Sequence, residues 1–185
     1  MRHTRRLVAL AGALALASPA AGGERREAIK VSLTHPQYWQ YNGHTVLLLG
    51  GSKEDNLFQI PDLEEHLDLL AASGGNYVRC TMSSRDEGNV WAFLFDKSAG
   101  TYDLDRWNEE YWTRFERFLV AASLRDVVVQ VEVWATFDFY RDNWDANPFN
   151  PKNNVNYRAE ESELPEETKS PPIHCANNFF WTVPE

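Results

Sequence analysis

Cysteine is scarce in this chain: Cys80 and Cys175 are its only two, among 185 residues. Two thiols cannot build a disulfide framework, and neither stands at metal-ligand spacing. One bridge between them is open in an oxidising compartment. A buried Cys80 with an unpaired loop Cys175 is the simpler reading. Histidine is thin and scattered: besides His3 near the N-terminus, His35, His44, His66 and His174 lie far apart, which argues against zinc. Positive charge is short as well, with Lys and Arg at 18 against 27 acidic residues and a net charge of −9. That balance speaks against nucleic acid and against an anionic membrane surface as partners. Beyond the N-terminus no apolar run is long enough to cross a bilayer. No internal repeat is visible. Gly50-Gly51-Ser52 lacks the Gly-x-Ser-x-Gly order of a nucleophile elbow, the Walker loop and a full dinucleotide fingerprint. Its two glycines read as a tight turn from strand to loop. Asp142, Asp145 and Asn147 carry oxygen ligands without the spacing or the glycine of an EF-hand. Neither a metal nor a cofactor is expected.

What the chain does have begins at its N-terminus. Arg2, Arg5 and Arg6 precede a short apolar stretch at 7–17 and small residues at 17–23. This is the layout of a secretory signal peptide, expected over 1–22, which sends the mature chain 23–185 to the periplasm or the exterior. Forty-three per cent of the residues are hydrophobic, enough for a sizeable core. Thirteen per cent are aromatic, including seven Trp. Core packing can use some of them, and sugar-binding clefts also use exposed aromatics.

Strand and helix periods alternate along the mature chain. Residues 28–33 read as a strand, broken by His35-Pro36. Asn42-Gly43 between two apolar arms predicts a two-residue hairpin turn. Its second arm, 45–49, reads as an apolar strand buried on both faces. Ile60, Leu63, Leu67 and Leu70 form a helical stripe that Gly74-Gly75 ends. Residues 76–82 read as a strand, and 83–102 as a loop carrying Trp91, Phe93 and Phe95. Asp103-Leu104-Asp105 is expected to cap a helix with the stripe Trp107, Tyr111, Phe115, Phe118 and Ala122. Then comes Val127 to Trp134, where Val129, Val131 and Val133 share one face and Gln130, Glu132 and Trp134 the other. An irregular excursion over 135–181 follows, with an acidic, proline-rich solvated stretch at 159–172. Strand, helix, strand, helix, strand argues for α/β architecture with parallel strands. Two forms fit: a small open sheet, with Gly50-Gly51 as a nucleotide site, or the N-terminal part of a (β/α)8 TIM barrel. In a barrel the loops after the strands build the site, and a long aromatic loop follows the third strand here.

Gly75-Asn76-Tyr77-Val78-Arg79 resembles the Gly-x-Asn-x-aliphatic-Arg segment on the second strand of clan A glycoside hydrolases. Val131 to Trp134, with the loop holding Arg141-Asp142-Asn143-Trp144 and Asn147-Pro148, resembles an exported bacterial branch of cellulase-like hydrolases. The resemblance implies a TIM barrel, a poly- or oligosaccharide substrate and a retaining mechanism with two carboxylates. It places that pair on the fourth and seventh strands, beyond Glu185. No catalytic residue is therefore expected within 1–185, which should be inactive as a hydrolase and poorly stable alone. It makes Arg79 the arginine that holds the nucleophile. An inward guanidinium needs an acidic partner, and Glu132 on the adjacent strand is the natural one. Trp134, Asp138, Tyr140 and Trp144 are expected at the barrel mouth as sugar contacts, although the clan often carries a histidine where Trp134 stands. A secreted carbohydrate-binding protein without catalysis is the alternative.

Overall fold

The structure, a computed structural model, describes residues 28–139 and 142–167. The expected signal peptide, Tyr140, Cys175 and the chain end lie outside the described residues. The chain divides into two compact units, Met1–Val46 and Leu47–Glu185.

In the first unit, β1 (Lys30–Val31), β2 (Trp39–Tyr41) and β3 (His44–Val46) form an antiparallel sheet in that order. Tyr41 pairs with His44 across a two-residue turn, in which Asn42 (φ 47°) and Gly43 (φ 78°) both take the left-handed conformation. This is the hairpin expected from Asn-Gly. The strand expected over 28–33 shrinks to two residues. Ser32 leaves it because its amide donates to Tyr38 O and its hydroxyl accepts from the amide of His35.

The second unit is built on β4 (Tyr77–Thr81) and β7 (Val128–Glu132), which pair in parallel from Tyr77↔Val128 to Thr81↔Glu132. The residues leading away from Leu47 run along the other edge of β4. Gly50 bridges Tyr77 in parallel, and the Thr81 amide donates to Asp55 O. The expected apolar strand over 45–49 is corrected: β3 stops at Val46, and Leu47 and Leu49 are more than half exposed. The Asn76 carboxamide supplies the reason. It takes Leu49 N and Leu47 O as partners, so a side chain fills the place of a paired strand.

Helix α1 (Leu63–Ala72) buries Leu63 and Leu67, with Ile60 and Leu70 against the same core. Its end follows the Schellman pattern: Gly75 N donates to Leu70 O, Gly74 N donates to Ala71 O, and Gly74 has φ 81°. Helix α2 (Glu109–Ser123) buries Tyr111, Phe118, Ala121 and Ala122. Val78 and Cys80 from β4 complete this core, with Val129 of β7 partly buried against it.

Three expectations fail between these elements. Residues 83–102 are not all loop, because β5 (Phe93–Asp96) pairs antiparallel with β6 (Thr101–Trp107). Asp103-Leu104-Asp105 therefore lies on a strand, and Asn108 caps α2, its Oδ1 accepting from Glu110 N. Trp107 ends the strand, 60% exposed, rather than joining the helical stripe. Two observations account for this. Asp96 Oδ1 gathers the Ser98 amide, the Ser98 hydroxyl and the Ala99 amide into a turn, and the Phe95 ring packs tilted at 53° against Tyr102, 4.8 Å between centroids. That local closure outweighs the weak helix signal of the aspartates.

Beyond β7 the described residues up to Glu167 carry short regular elements where an irregular excursion was expected. A 3-10 turn (Thr136–Phe139), α3 (Asn143–Ala146), a second 3-10 turn (Pro151–Asn153) and α4 (Ala159–Ser162) surround a small core of Phe139, Trp144 and Leu164. Three buried asparagines fasten it. Asn147 donates to Asp138 O, Asn150 to Trp144 O and Glu166 O, and Asn154 to Pro148 O and Asn150 O. The stretch expected to be solvated from 159 thus holds a short helix and a buried Leu164, up to residue 167. The sheets are open ones of three, two and two strands. No closed barrel is formed among the described residues.

Gly50 sits where a Cβ would lie 1.8 Å from Tyr77 O, whereas a Cβ on Gly51 would meet nothing within 4 Å. Gly50→Ala should cost about 3 kcal/mol or more, because backbone has to give way. Gly51→Ala should stay within about 0.5 kcal/mol. Urea unfolding of the two variants checks the contrast; equal stabilities would contradict it.

Candidate functional site

The parallel pairing puts Tyr77, Arg79 and Thr81 on one face with Gln130 and Glu132, while Val78 and Cys80 turn into the core. This is the alternation expected from the sequence. Tyr77 OH donates to Gln130 Oε1 at 2.5 Å. Arg79 reaches diagonally, donating from Nη1 to Glu132 Oε2 at 3.0 Å, and Thr81 Oγ1 lies 3.3 Å from the same oxygen. The Arg79–Glu132 pair drawn from the sequence is therefore present. It is not buried: the two side chains are 44% and 34% exposed.

The network extends further than the sequence reading foresaw. Arg79 Nη2 donates to Asp55 Oδ1 at 2.6 Å, and the other Asp55 oxygen accepts from Arg85 Nη2 at 2.8 Å. Arg85 Nη1 donates to Asp138 Oδ1 at 3.1 Å, and its guanidinium stands 5.4 Å from the Phe137 ring centroid. Five charges alternate in sign from Glu132 through Arg79, Asp55 and Arg85 to Asp138. Asp55 and Arg85 were missed. Each lies in a loop following a strand or extended segment, which is the one signal that could have found them.

Asp138 is buried, and both its oxygens are in use. Oδ1 accepts from Ser83 Oγ and Arg85, and Oδ2 accepts from the Ser84 amide. Burial raises its carboxyl pKa above the ordinary value, and those hydrogen bonds hold the rise in check. Burial likewise pushes the Cys80 thiol up to about 11, so it stays protonated at neutral pH and is no nucleophile.

Beside this network a cleft of about 170 Å³ opens between the end of β7, the β5–β6 hairpin and α2. Trp91, Phe93, Trp107, Trp112, Trp134 and Phe149 are among the aromatic residues of its wall. Trp134 is half exposed, as a ligand platform requires, and packs 5.9 Å from Phe139 and 6.1 Å from Phe149. Trp144 departs from its expected place at the mouth. It is fully buried and donates from Nε1 to Pro165 O at 2.7 Å, so it holds the loop together and presents no open ring face. Asp138 lines the cleft as an anchored carboxylate, and Tyr140 lies outside the described residues. Trp107 and Trp112 were assigned in sequence to core or left unassigned. Only the β5–β6 hairpin carries Trp107 to the cleft.

No family model and no curated protein matches this chain. Among solved structures it is similar to a putative glycoside hydrolase from Bacteroides vulgatus, at 17% identity and a TM-score of 0.51, over 69% of this chain and 28% of that one. A beta-mannanase from the blue mussel Mytilus edulis is also found, at 21% identity and a TM-score of 0.36, over 56% of this chain and 30% of that one. The second likeness is too distant to carry an argument. The first is a likeness of fold alone: 69% of this mixed α/β chain follows the fold of part of that structure. The chain spans little more than a quarter of that protein's length.

Arg85→Met should cost about 3 kcal/mol, because it leaves Asp138 buried without its cation. The direction of the Asp138 shift sets the pH dependence. A carboxyl whose pKa is raised by folding takes its proton first in the folded state. Its contribution to stability therefore increases as pH falls from the raised value towards the ordinary one. Removing Arg85 raises the carboxyl further. The deficit of the variant should be largest at neutral pH and shrink on acidification. Denaturant unfolding as a function of pH measures this, and a pH-independent deficit would count against it.

Proposed function

We propose that the chain supplies the first part of a (β/α)8 barrel in an exported glycoside hydrolase-like protein acting on poly- or oligosaccharide. The observation that carries the reading is the Arg79–Glu132 pair, on the polar face of two parallel strands, beside a cleft walled by tryptophans. The likeness of fold to the Bacteroides vulgatus structure supports it. Arg79 and Glu132 serve as supporting groups, and Trp134 serves as a platform for sugar C–H faces. Asp138 keeps the loop under that platform in place. Glu132 and Asp138 are each engaged by an arginine, so neither is assigned to a catalytic pair. A two-carboxylate retaining mechanism would draw its acid/base and its nucleophile from strands other than β4 and β7. The basic and apolar N-terminal segment supports export.

The same engagement of both carboxylates favours a second reading, carbohydrate binding without hydrolysis. Titration of the chain with cello- and manno-oligosaccharides, followed by tryptophan fluorescence, addresses both readings. Trp134→Ala should weaken binding about tenfold, the size of an aromatic contact of roughly 1.4 kcal/mol. The full-length protein decides between them: binding there with release of new reducing ends supports the enzyme, and binding without it supports the alternative. If no saccharide perturbs the tryptophans, both readings fall.

A further inference from the structure

The β5–β6 hairpin breaks its own ladder at the end that meets the cleft. Its register passes from Leu94↔Asp103 directly to Phe93↔Trp107. Leu104, Asp105 and Arg106 therefore bulge out, opposite no residue of β5. A bulge bends its strand and re-aims the side chain beside it. Here that side chain is Trp107, which is 60% exposed, stacks on Phe93 at 5.4 Å and lines the cleft. The pairing with β5 does not by itself fix the three bulged residues that lead into it.

A segment some 50 positions further on grips the bulge from its other side. Tyr102 bridges Asn154 in parallel, and Val155 N donates to Tyr102 O at 3.0 Å. Asn156 then uses both ends of its carboxamide, which offers an acceptor and a donor at once. Its Oδ1 accepts from Leu104 N at 2.8 Å, and its Nδ2 donates to Asp105 Oδ2 at 3.1 Å. The same short segment holds the wall on the β7 side. Asn154 Nδ2 donates to Pro148 O, and Tyr157 OH donates to Phe149 O at 2.8 Å. Phe149 in turn packs 6.1 Å from Trp134. Residues 154–157 thus clasp the strand of Trp107 to the loop that supports Trp134. We infer that Asn156 is a positioning residue of the cleft: it fixes the bulge that presents Trp107, so that Trp107 and Trp134 together receive one saccharide. Asn156 is not among the cleft's lining residues and acts through Trp107. The inference rests on the carbohydrate reading above.

The test measures the affinity of the 185-residue chain for cellohexaose and mannohexaose by calorimetry, with amide hydrogen exchange over 102–107 as a readout that needs no ligand. Asn156→Asp keeps the acceptor for Leu104 N and sets a carboxylate against Asp105. It should speed exchange over 102–107 and weaken saccharide binding about fivefold, the loss expected of one neutral hydrogen bond. Adding Asp105→Asn exchanges donor and acceptor across the same contact and should restore both readouts. Trp107→Ala alone should weaken binding about tenfold, the size of one aromatic contact. Adding Asn156→Asp to Trp107→Ala should cost nothing more, because the ring that Asn156 positions is gone. Asn156→Ala, which only truncates, gives the same comparison if the repulsion in Asn156→Asp unfolds the hairpin. Additive losses, or variant binding equal to that of the unmodified chain, overturn the inference and leave the carbohydrate reading standing. Faster exchange with unchanged binding makes the clasp structural only and overturns it as well. If the unmodified chain binds neither saccharide, the carbohydrate reading falls and the inference falls with it.

Discussion

The alternation of guanidinium and carboxylate from Glu132 to Asp138 ties the loop after β4 and the turn after β7 to β4, β7 and the Asp55 segment, which backbone hydrogen bonds already join. Asp55 belongs to the segment beside β4, Arg79 to β4, Glu132 to β7, Arg85 to the loop after β4 and Asp138 to the turn after β7. Its two ends differ in weight. The Arg79 end is open to water, where an ion pair is worth roughly 0–1 kcal/mol. The Arg85–Asp138 end is shielded, with Asp138 only 3% exposed, so losing either partner strands a charge. The network is thus anchored at the Asp138 end and adjustable at the Arg79 end.

The loop after β7 shows how a polar sequence can still be rigid. Its asparagines donate from their carboxamides to backbone carbonyls and, at Asn147, Asn150 and Asn154, also accept backbone amides. They replace helix and sheet ladders with short local bridges. Phe139, Trp144 and Leu164 are buried beneath. The cleft above therefore has a firm floor although little regular secondary structure surrounds it. Trp134 and Trp107 can stay exposed at the rim because the rings below are already packed against one another.

Much of the frame was legible from residue types. Period-two alternation in β4 and β7 separated the polar face from the core face, and it paired Arg79 with Glu132 before any geometry was known. The hairpin at Asn42-Gly43 and the stop at Gly74-Gly75 followed from the few residues that tolerate positive φ. Leu63, Leu67, Tyr111 and Phe118 could be placed inside from helical spacing alone. These features depend on neighbours within a few positions, and such information is written locally.

What the sequence did not reveal depends on contacts distant along the chain. Asp103 to Trp107 carries a helix cap signal and a strand pattern together; the turn at Asp96 favours the strand, and Val155 N on Tyr102 O and Asn156 Oδ1 on Leu104 N, the latter 52 positions away, hold it. Trp144 and Trp134 look alike as loop tryptophans; one is buried by Leu164 and held by Pro165, and the other is left at the rim. Asp55 and Arg85 gain their meaning from Arg79 and Asp138, which lie 24 and 53 positions away. The chain by itself determined the α/β order, the polar strand face and the core stripes, because periodicity and turn chemistry act over a few residues. The tertiary structure alone decided which charges meet and which aromatics face the cleft, because long-range packing distributes solvent among side chains of the same kind.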